Sequence, residues 1–225
     1  MRPESPRADE VHLWALDLDP GPTEAARRTA ATTGAERERA SRFRRPQDAS
    51  RFLSAHGALR LILSDALECN PHALCFGERS KGKPYLEGAP LEFNLSHSGN
   101  VALVVVSWTR QVGVDVEQLR PMPDLDSLAP RVCNERELAS IMGLAQADRE
   151  RAFFALWTRK EALAKATGEG IAAVFRNDGD APAVMDNGWT LVEVNDLPGY
   201  AACVAAEGAG WRLVRRTVIG SNGER

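Results

Sequence analysis

Hydrophobic and polar residues alternate along several short stretches of this chain, and each such stretch predicts a strand. The most informative is Val112-Gly113-Val114-Asp115-Val116-Glu117, with valines on one face and Gly113, Asp115 and Glu117 on the other. Residues 11–18, VHLWALDL, alternate in the same way and are closed by Asp-Pro-Gly-Pro at 19–22. Residues 91–96 place Leu91, Phe93 and Leu95 inward and Glu92, Asn94 and Ser96 outward. After the turn Ser96-His97-Ser98-Gly99-Asn100, the apolar run Val101 to Trp108 predicts the paired strand. Two late strands are predicted over 189–195 and 200–206.

Helical spacing fills the intervals. Residues 23–45 are predicted helical with a break near Thr32-Thr33-Gly34, and a long buried helix runs from Pro46-Gln47-Asp48 to about Leu67. Short helices are expected over 124–130 and 134–146, with Asn134 as N-cap and Glu137 completing a capping box. Residues 148–167 form the clearest helix, built of strong formers and stopped by Gly168. Phe154, Trp157, Glu161 and Lys165 recur there at helical spacing, about 100° per residue, so they share one stripe. Glu161 and Lys165 therefore extend an inward-facing apolar line. An i,i+4 surface ion pair is the plainer alternative.

Each half of the chain thus has a main helix followed by strand pairs. The predicted fold class is α+β, with two pseudo-symmetric halves, 1–118 and 119–225, each a main helix on a small, mostly antiparallel sheet. Leu119-Arg120-Pro121-Met122-Pro123 marks the boundary, and the Asp115/Glu117 strand lies at the junction. A cleft between the halves would collect Asp115, Glu117 and Glu161.

Composition narrows the function. Net charge is −3, which argues against a general nucleic-acid binder. The opening residues lack a hydrophobic signal segment, and the longest apolar run is too short to span a membrane, so a cytoplasmic protein is expected. The cysteines, Cys69, Cys75, Cys133 and Cys203, are scattered and read as reduced thiols. The chain has 24 arginines but only four lysines, and those fall in two clusters, Lys81/Lys83 and Lys160/Lys165. Either a compact point charge is needed there, where a planar guanidinium would not serve, or the clustering is chance.

The chemistry-bearing residues follow. Asp115 and Glu117, two apart on a strand, project side by side about 7 Å apart along the chain. Carboxylates that close favour a cation between them, and oxygen ligands of this kind suit Mg²⁺. A solvated strand face is the plain alternative. Residues 36–51 carry six arginines against three acids, and either form a solvated helix face or bind an anion through Arg39 and Arg51. The run Gly77 to Pro84 has P-loop spacing, but Pro84 replaces the required hydroxyl, so that reading is rejected. Lys81-Gly82-Lys83-Pro84 can still contact phosphates. Ser96 beside His97 does not make a hydrolase, because neighbours on a strand point to opposite faces and no nucleophile elbow is present.

Gly82-Lys83-Pro84, the run Phe93 to Ser98, the run Val112 to Glu117, and Trp157-Thr158-Arg159-Lys160-Glu161-Ala162-Leu163-Ala164-Lys165 resemble the ordered motifs of the Sfp-type 4′-phosphopantetheinyl transferases. Asp48-Ala49-Ser50-Arg51 adds a fifth, fainter match. The resemblance implies an enzyme that takes coenzyme A and Mg²⁺ and transfers phosphopantetheine to a serine of an apo acyl or peptidyl carrier protein, releasing 3′,5′-ADP. It implies Asp115, Glu117 and Glu161 as metal ligands, Glu161 also as the base or its orienter, Lys165 beside the leaving phosphate and His97 on the diphosphate. Lys81, Gly82, Lys83, Pro84, Ser96, Arg39 and Arg51 would hold coenzyme A, with Arg51 on the 3′-phosphate. Two positions depart from the pattern. Glu36 stands where a basic residue is common, and Phe52 where a small polar one is. A non-catalytic coenzyme A- or nucleotide-binding protein and a metal-dependent phosphoesterase are the competing readings. The two-halved length predicts a monomer.

Overall fold

The computed structural model describes residues 6–79, 81–170, 184–185 and 188–216. The opening residues 1–5, read above as carrying no signal segment, lie outside the described residues.

Strand β1 (Glu10–Asp17) is followed by helices α1 (Pro22–Ala31), α2 (Gly34–Ser41) and α3 (Pro46–Ala66). The break between α1 and α2 falls at Thr32-Thr33, where Thr33 caps α2 in a reciprocal capping box with Glu36. Proline at the first position of α1 and α3 removes an N–H that would lack a helical partner anyway. A small hairpin, β2 (Phe76–Glu78) and β3 (Pro84–Leu86), frames what the sequence suggested was a loop. Then come β4 (Glu92–Ser98), β5 (Val101–Ser107) and β6 (Val112–Gln118). Helices α4 (Leu125–Val132), α5 (Glu135–Met142) and α6 (Gln146–Thr167) follow, with the expected Asn134/Glu137 capping box on α5. Helix α6 ends at Gly168 in the left-handed region, φ 70°. Strands β7 (Val184–Met185), β8 (Trp189–Glu193), β9 (Tyr200–Glu207) and β10 (Arg212–Arg216) complete the described chain.

Two four-stranded sheets result, ordered β10-β1-β5-β4 and β6-β9-β8-β7. The expected α+β class with a helix on each sheet is what is found. All the pairings within these sheets are antiparallel except β1 with β10, which is parallel. Strand β10 was not expected from the sequence, and it returns residues 212–216 to the first sheet.

Alternation decides the layers. Trp14 and Leu16 of β1 pack with Ala55, Leu59 and Ile62 of α3, which covers the outer face of the first sheet. Val11 and Leu13 point the other way, against Val112, Val114 and Val116 of β6 and Val204 of β9. The two sheets therefore share an inner core. The outer face of the second sheet packs Cys203 and Ala205 on Ala162 and Ala166 of α6. Gly113 lets α6 lie this close, because a Cβ there would sit 2.1 Å from the carbonyl oxygen of Ala162.

The polar faces of β4 and β6 were expected to be open, and here the structure differs. Asn94 and Ser96 are buried, and Asp115 is only 4% exposed. The outer face of β4 is turned toward β6: Asn94 Oδ1 accepts from the Val114 N–H, Ser96 bonds Asp115 and Ser98 bonds Glu117. Period-two patterning shows that two faces differ, but not that both will be covered.

Candidate active site

Strand β6, the edge strand β4, helix α6 and the β2–β3 hairpin converge on one place. A cavity of about 270 Å³ is lined by Lys81, Gly82, Lys83, Pro84, Asn94, Glu161, Ala164, Lys165, Gly168 and Gly170. Lys165 ties that wall to the buried Asp115. Its Oδ1 accepts from Ser96 Oγ at 2.8 Å and from Lys165 Nζ at 2.6 Å, and Lys165 Nζ lies 3.0 Å from Ser96 Oγ. The second oxygen, Oδ2, is buried without a hydrogen-bond partner. A buried, unpaired carboxylate oxygen is costly, and a cation is the group that would satisfy it.

The electrostatics point the same way. Burial raises the pKa of Asp115, with Glu117 adding to it, while Lys165 and Ser96 hold it back. Burial likewise raises Glu161; Lys165 opposes the shift and the Asp115 and Glu117 charges reinforce it. Carboxylates that raise one another's pKa are short of positive charge. Glu117 accepts from Ser98 Oγ at 2.9 Å and faces Arg120 at 3.7 Å. Among the described residues, no three His, Cys, Asp or Glu side chains close up into a ready metal cage. In this arrangement Lys165 supplies the cation to Asp115. His97 presents an exposed ring on β4, and partial removal from water, then the neighbouring His56 and Lys165, lower its pKa.

All four lysines point at specific acceptors. Lys83 is 7% exposed and its ammonium donates to the carbonyls of Val112, at 3.2 Å, and Ala166, at 2.7 Å. Burial lowers its pKa to about 8. Lys81 donates to the Glu169 carbonyl at 2.6 Å. These two bonds clip the hairpin onto the C-terminal end of α6, where the helix dipole favours cations. Lys160 is buried, donating to the Val132 carbonyl and to Glu137, and ties α4 and α5 to α6.

Arg51 and Arg39 do not line the cavity. Arg51 donates through Nε, at 3.2 Å, and Nη2, at 2.5 Å, to Asp19 in the turn after β1. Arg39 lies over the ring of Phe52, 5.1 Å from its centre. Glu36 accepts from Arg60, from the Thr33 N–H and Oγ, and faces His56. Asn94, which lines the cavity, is a site residue that the sequence reading did not single out, although it shares a strand face with Ser96 and Ser98.

Residues 18–109 match the family model described as 4′-phosphopantetheinyl transferase, N-terminal, and residues 111–203 match that of the 4′-phosphopantetheinyl transferase superfamily. The 4′-phosphopantetheinyl transferase HetI of Nostoc sp. is 39% identical over 91% of each chain. The chain belongs to this superfamily. A 4′-phosphopantetheinyl transferase of Bacillus subtilis is 28% identical over 80% of the chain and 78% of its own. AcpT of Salmonella typhimurium is 37% identical over 56% and 65%. The transferase superfamily takes coenzyme A as substrate and uses a divalent metal. The two model matches meet at residue 110, between β5 and β6.

Proposed function

We propose that this transferase moves the 4′-phosphopantetheine group from coenzyme A to a serine of an apo acyl or peptidyl carrier protein, with Mg²⁺, and releases 3′,5′-ADP. The observation that carries this reading is the hydrogen-bonded Asp115–Lys165–Ser96 cluster, joined through Lys165 to a cavity that Glu161 also lines. Asp115, with its unsatisfied Oδ2, Glu117 and Glu161 would hold the metal, and the donor set fits a hard, oxygen-seeking dication. Bound there, Mg²⁺ supplies charge neutralisation for the diphosphate.

The protein's own groups do the rest. The serine Oγ attacks the phosphorus bearing the pantetheine arm, and that phosphorus loses its bridging oxygen to the leaving 3′,5′-ADP. Glu161 takes the serine proton or orients its acceptor, a task open to a half-buried carboxylate on the cavity wall. Lys165 lies where it can offset the charge growing on the leaving phosphate. His97 hydrogen-bonds the diphosphate. The hairpin residues Lys81, Gly82, Lys83 and Pro84, together with Ser96, shape the coenzyme A pocket. With the ammonium of Lys83 turned to the carbonyls of Val112 in β6 and Ala166 in α6, its part there is to fix the wall. Arg39 and Arg51 serve the nucleotide end, Arg51 sharing its guanidinium with Asp19. The cleft is formed within one chain, in keeping with a monomer. Among the described residues, no helix is long and apolar enough to cross a membrane, in keeping with a cytoplasmic enzyme.

Intact-mass analysis of an apo carrier protein after incubation with this protein, coenzyme A and Mg²⁺, with an EDTA control, tests the reading. A metal-dependent gain of one phosphopantetheine is expected. Free phosphopantetheine with an unlabelled carrier would turn the assignment to a phosphoesterase.

A further inference from the structure

Helices α2 and α3 carry a cluster that the transfer chemistry does not use. His56 stacks on Phe52 with ring centres 4.1 Å apart, and Phe52 in turn touches the exposed Phe43. The Nδ1 of His56 faces Glu36 Oε1 at 3.7 Å. Glu36 is deeply committed. Burial alone would raise its pKa, but the adjacent His56 imidazole and hydrogen bonds from Thr33 and Arg60 bring it down to about 2. One side of the imidazole is thus fixed by a permanent anion and one ring face by an aromatic ring. Nε2, across the ring, is directed away from Glu36. His56 also lies near enough to His97 for a charge on one to oppose a charge on the other, and His97 stands in the same relation to Lys165. One turn further along α3, Arg60 lies 4.9 Å from the centre of the Phe76 ring, which sets this part of α3 against the β2–β3 hairpin that walls the cavity.

Coenzyme A carries two separated anionic groups, the diphosphate and the 3′-phosphate. With the diphosphate beside Lys165 and Glu161, the 3′-phosphate needs a cation further along. Arg60, Arg42 and Arg51 are each paired with a carboxylate, Glu36, Glu38 and Asp19, while Arg39 lies over the Phe52 ring and can share the same phosphate. We propose that His56, oriented by Glu36 and Phe52, is a further substrate-binding residue, its Nε2 side holding the 3′-phosphate of coenzyme A. This rests on the transferase reading. It also gives the two departures from the family pattern one purpose, since Glu36 and Phe52 are the residues that fix the imidazole.

Binding of coenzyme A and of 3′-dephospho-coenzyme A, each measured by calorimetry, tests the assignment. His56→Phe keeps a ring to stack on Phe52, and His56→Gln keeps a polar group. Each is expected to weaken coenzyme A binding about tenfold, the scale of one charge-assisted hydrogen bond, and dephospho-coenzyme A binding less than about twofold. His56→Lys, which restores a cation, should come within about threefold of wild type, as a charge-based contact requires. Melting temperatures near wild type show that the variants fold. Equal losses for both ligands in the folded variants, or no loss for either, would overturn the role of His56 and leave the transferase reading standing. Failure of the wild type to bind coenzyme A at all would sink both.

Discussion

Gly113 offers the sharpest test of how the site is built. It sits on β6 where α6 crosses, and its backbone does not lie in the left-handed region, so alanine is conformationally allowed. The effect of Gly113→Ala is therefore steric. A Cβ would meet the Ala162 carbonyl oxygen at 2.1 Å, the Ala166 nitrogen at 2.4 Å and the Ala166 Cα at 2.9 Å. These are helix backbone atoms, which cannot rotate away as a side-chain tip can. Real contacts of this kind essentially never fall under 3.0 Å, so α6 must rise from β6 by about 0.9 Å. Lys165 and Glu161 ride on that helix, and the 2.6 Å bond from Lys165 to Asp115 would stretch with it. The same shift pulls the Ala166 carbonyl from Lys83, now 2.7 Å away. Overpacking of this sort costs about 1–3 kcal/mol of stability. A displacement of about 1 Å in catalytic groups costs on the order of 100-fold in rate. Carrier labelling followed by intact mass gives kcat/KM, and a thermal melt gives the stability change. A variant with both the rate and the melting temperature of the wild type would refute the claim that helix–strand contact at Gly113 sets the site.

Three further outcomes are expected. Glu161→Gln should abolish transfer while coenzyme A still binds by calorimetry; wild-type-like turnover would remove Glu161 from the mechanism. Asp115→Asn supplies a donor where the unpaired Oδ2 now lies, so the rise in melting temperature that Mg²⁺ and coenzyme A give the wild type should vanish in it; an unchanged rise would place the metal elsewhere. Glu36 has a folded pKa depressed from 4.5 to about 2, so its stabilisation is present above about pH 4.5 and lost as pH falls toward 2. Glu36→Gln should cost on the order of 2–3 kcal/mol at pH 7, and the gap from wild type should close across that window in denaturant melts; a gap independent of pH would mean that the loss is packing alone.

The strands and the long helices were legible because their patterning is local. The Val112–Glu117 alternation, the Phe154–Lys165 stripe and the caps at Asn134 and Gly168 carry their own signals, and the structure has them. Contacts across the chain were not legible. Lys83 was expected on a phosphate, yet its ammonium reaches the carbonyl of Ala166, 83 residues away. Arg51 reads from the sequence as an anion-site candidate, and nothing local signals its pairing with Asp19, 32 residues before it. The lysine clustering was informative for a reason that composition alone only hints at. Three of the four ammonium groups, on Lys81, Lys83 and Lys160, satisfy backbone carbonyls, a small-headed donor's task. Strand β10 escaped because Arg212-Leu213-Val214-Arg215-Arg216 has too short an apolar stretch to announce a strand, and parallel pairing with β1 leaves no turn signal.

That pairing reaches into how the protein is made. Glu10 to Trp14 lie in register with Arg212 to Arg216, so β1 gains this neighbour only about two hundred residues after it is made. Until then one edge of β1 is bare, an invitation to pair with the wrong chain. Long-range parallel pairing is also slow to form. Among the described strands the first sheet is therefore completed late, and a chain cut before residue 212 would expose the backbone edge of β1.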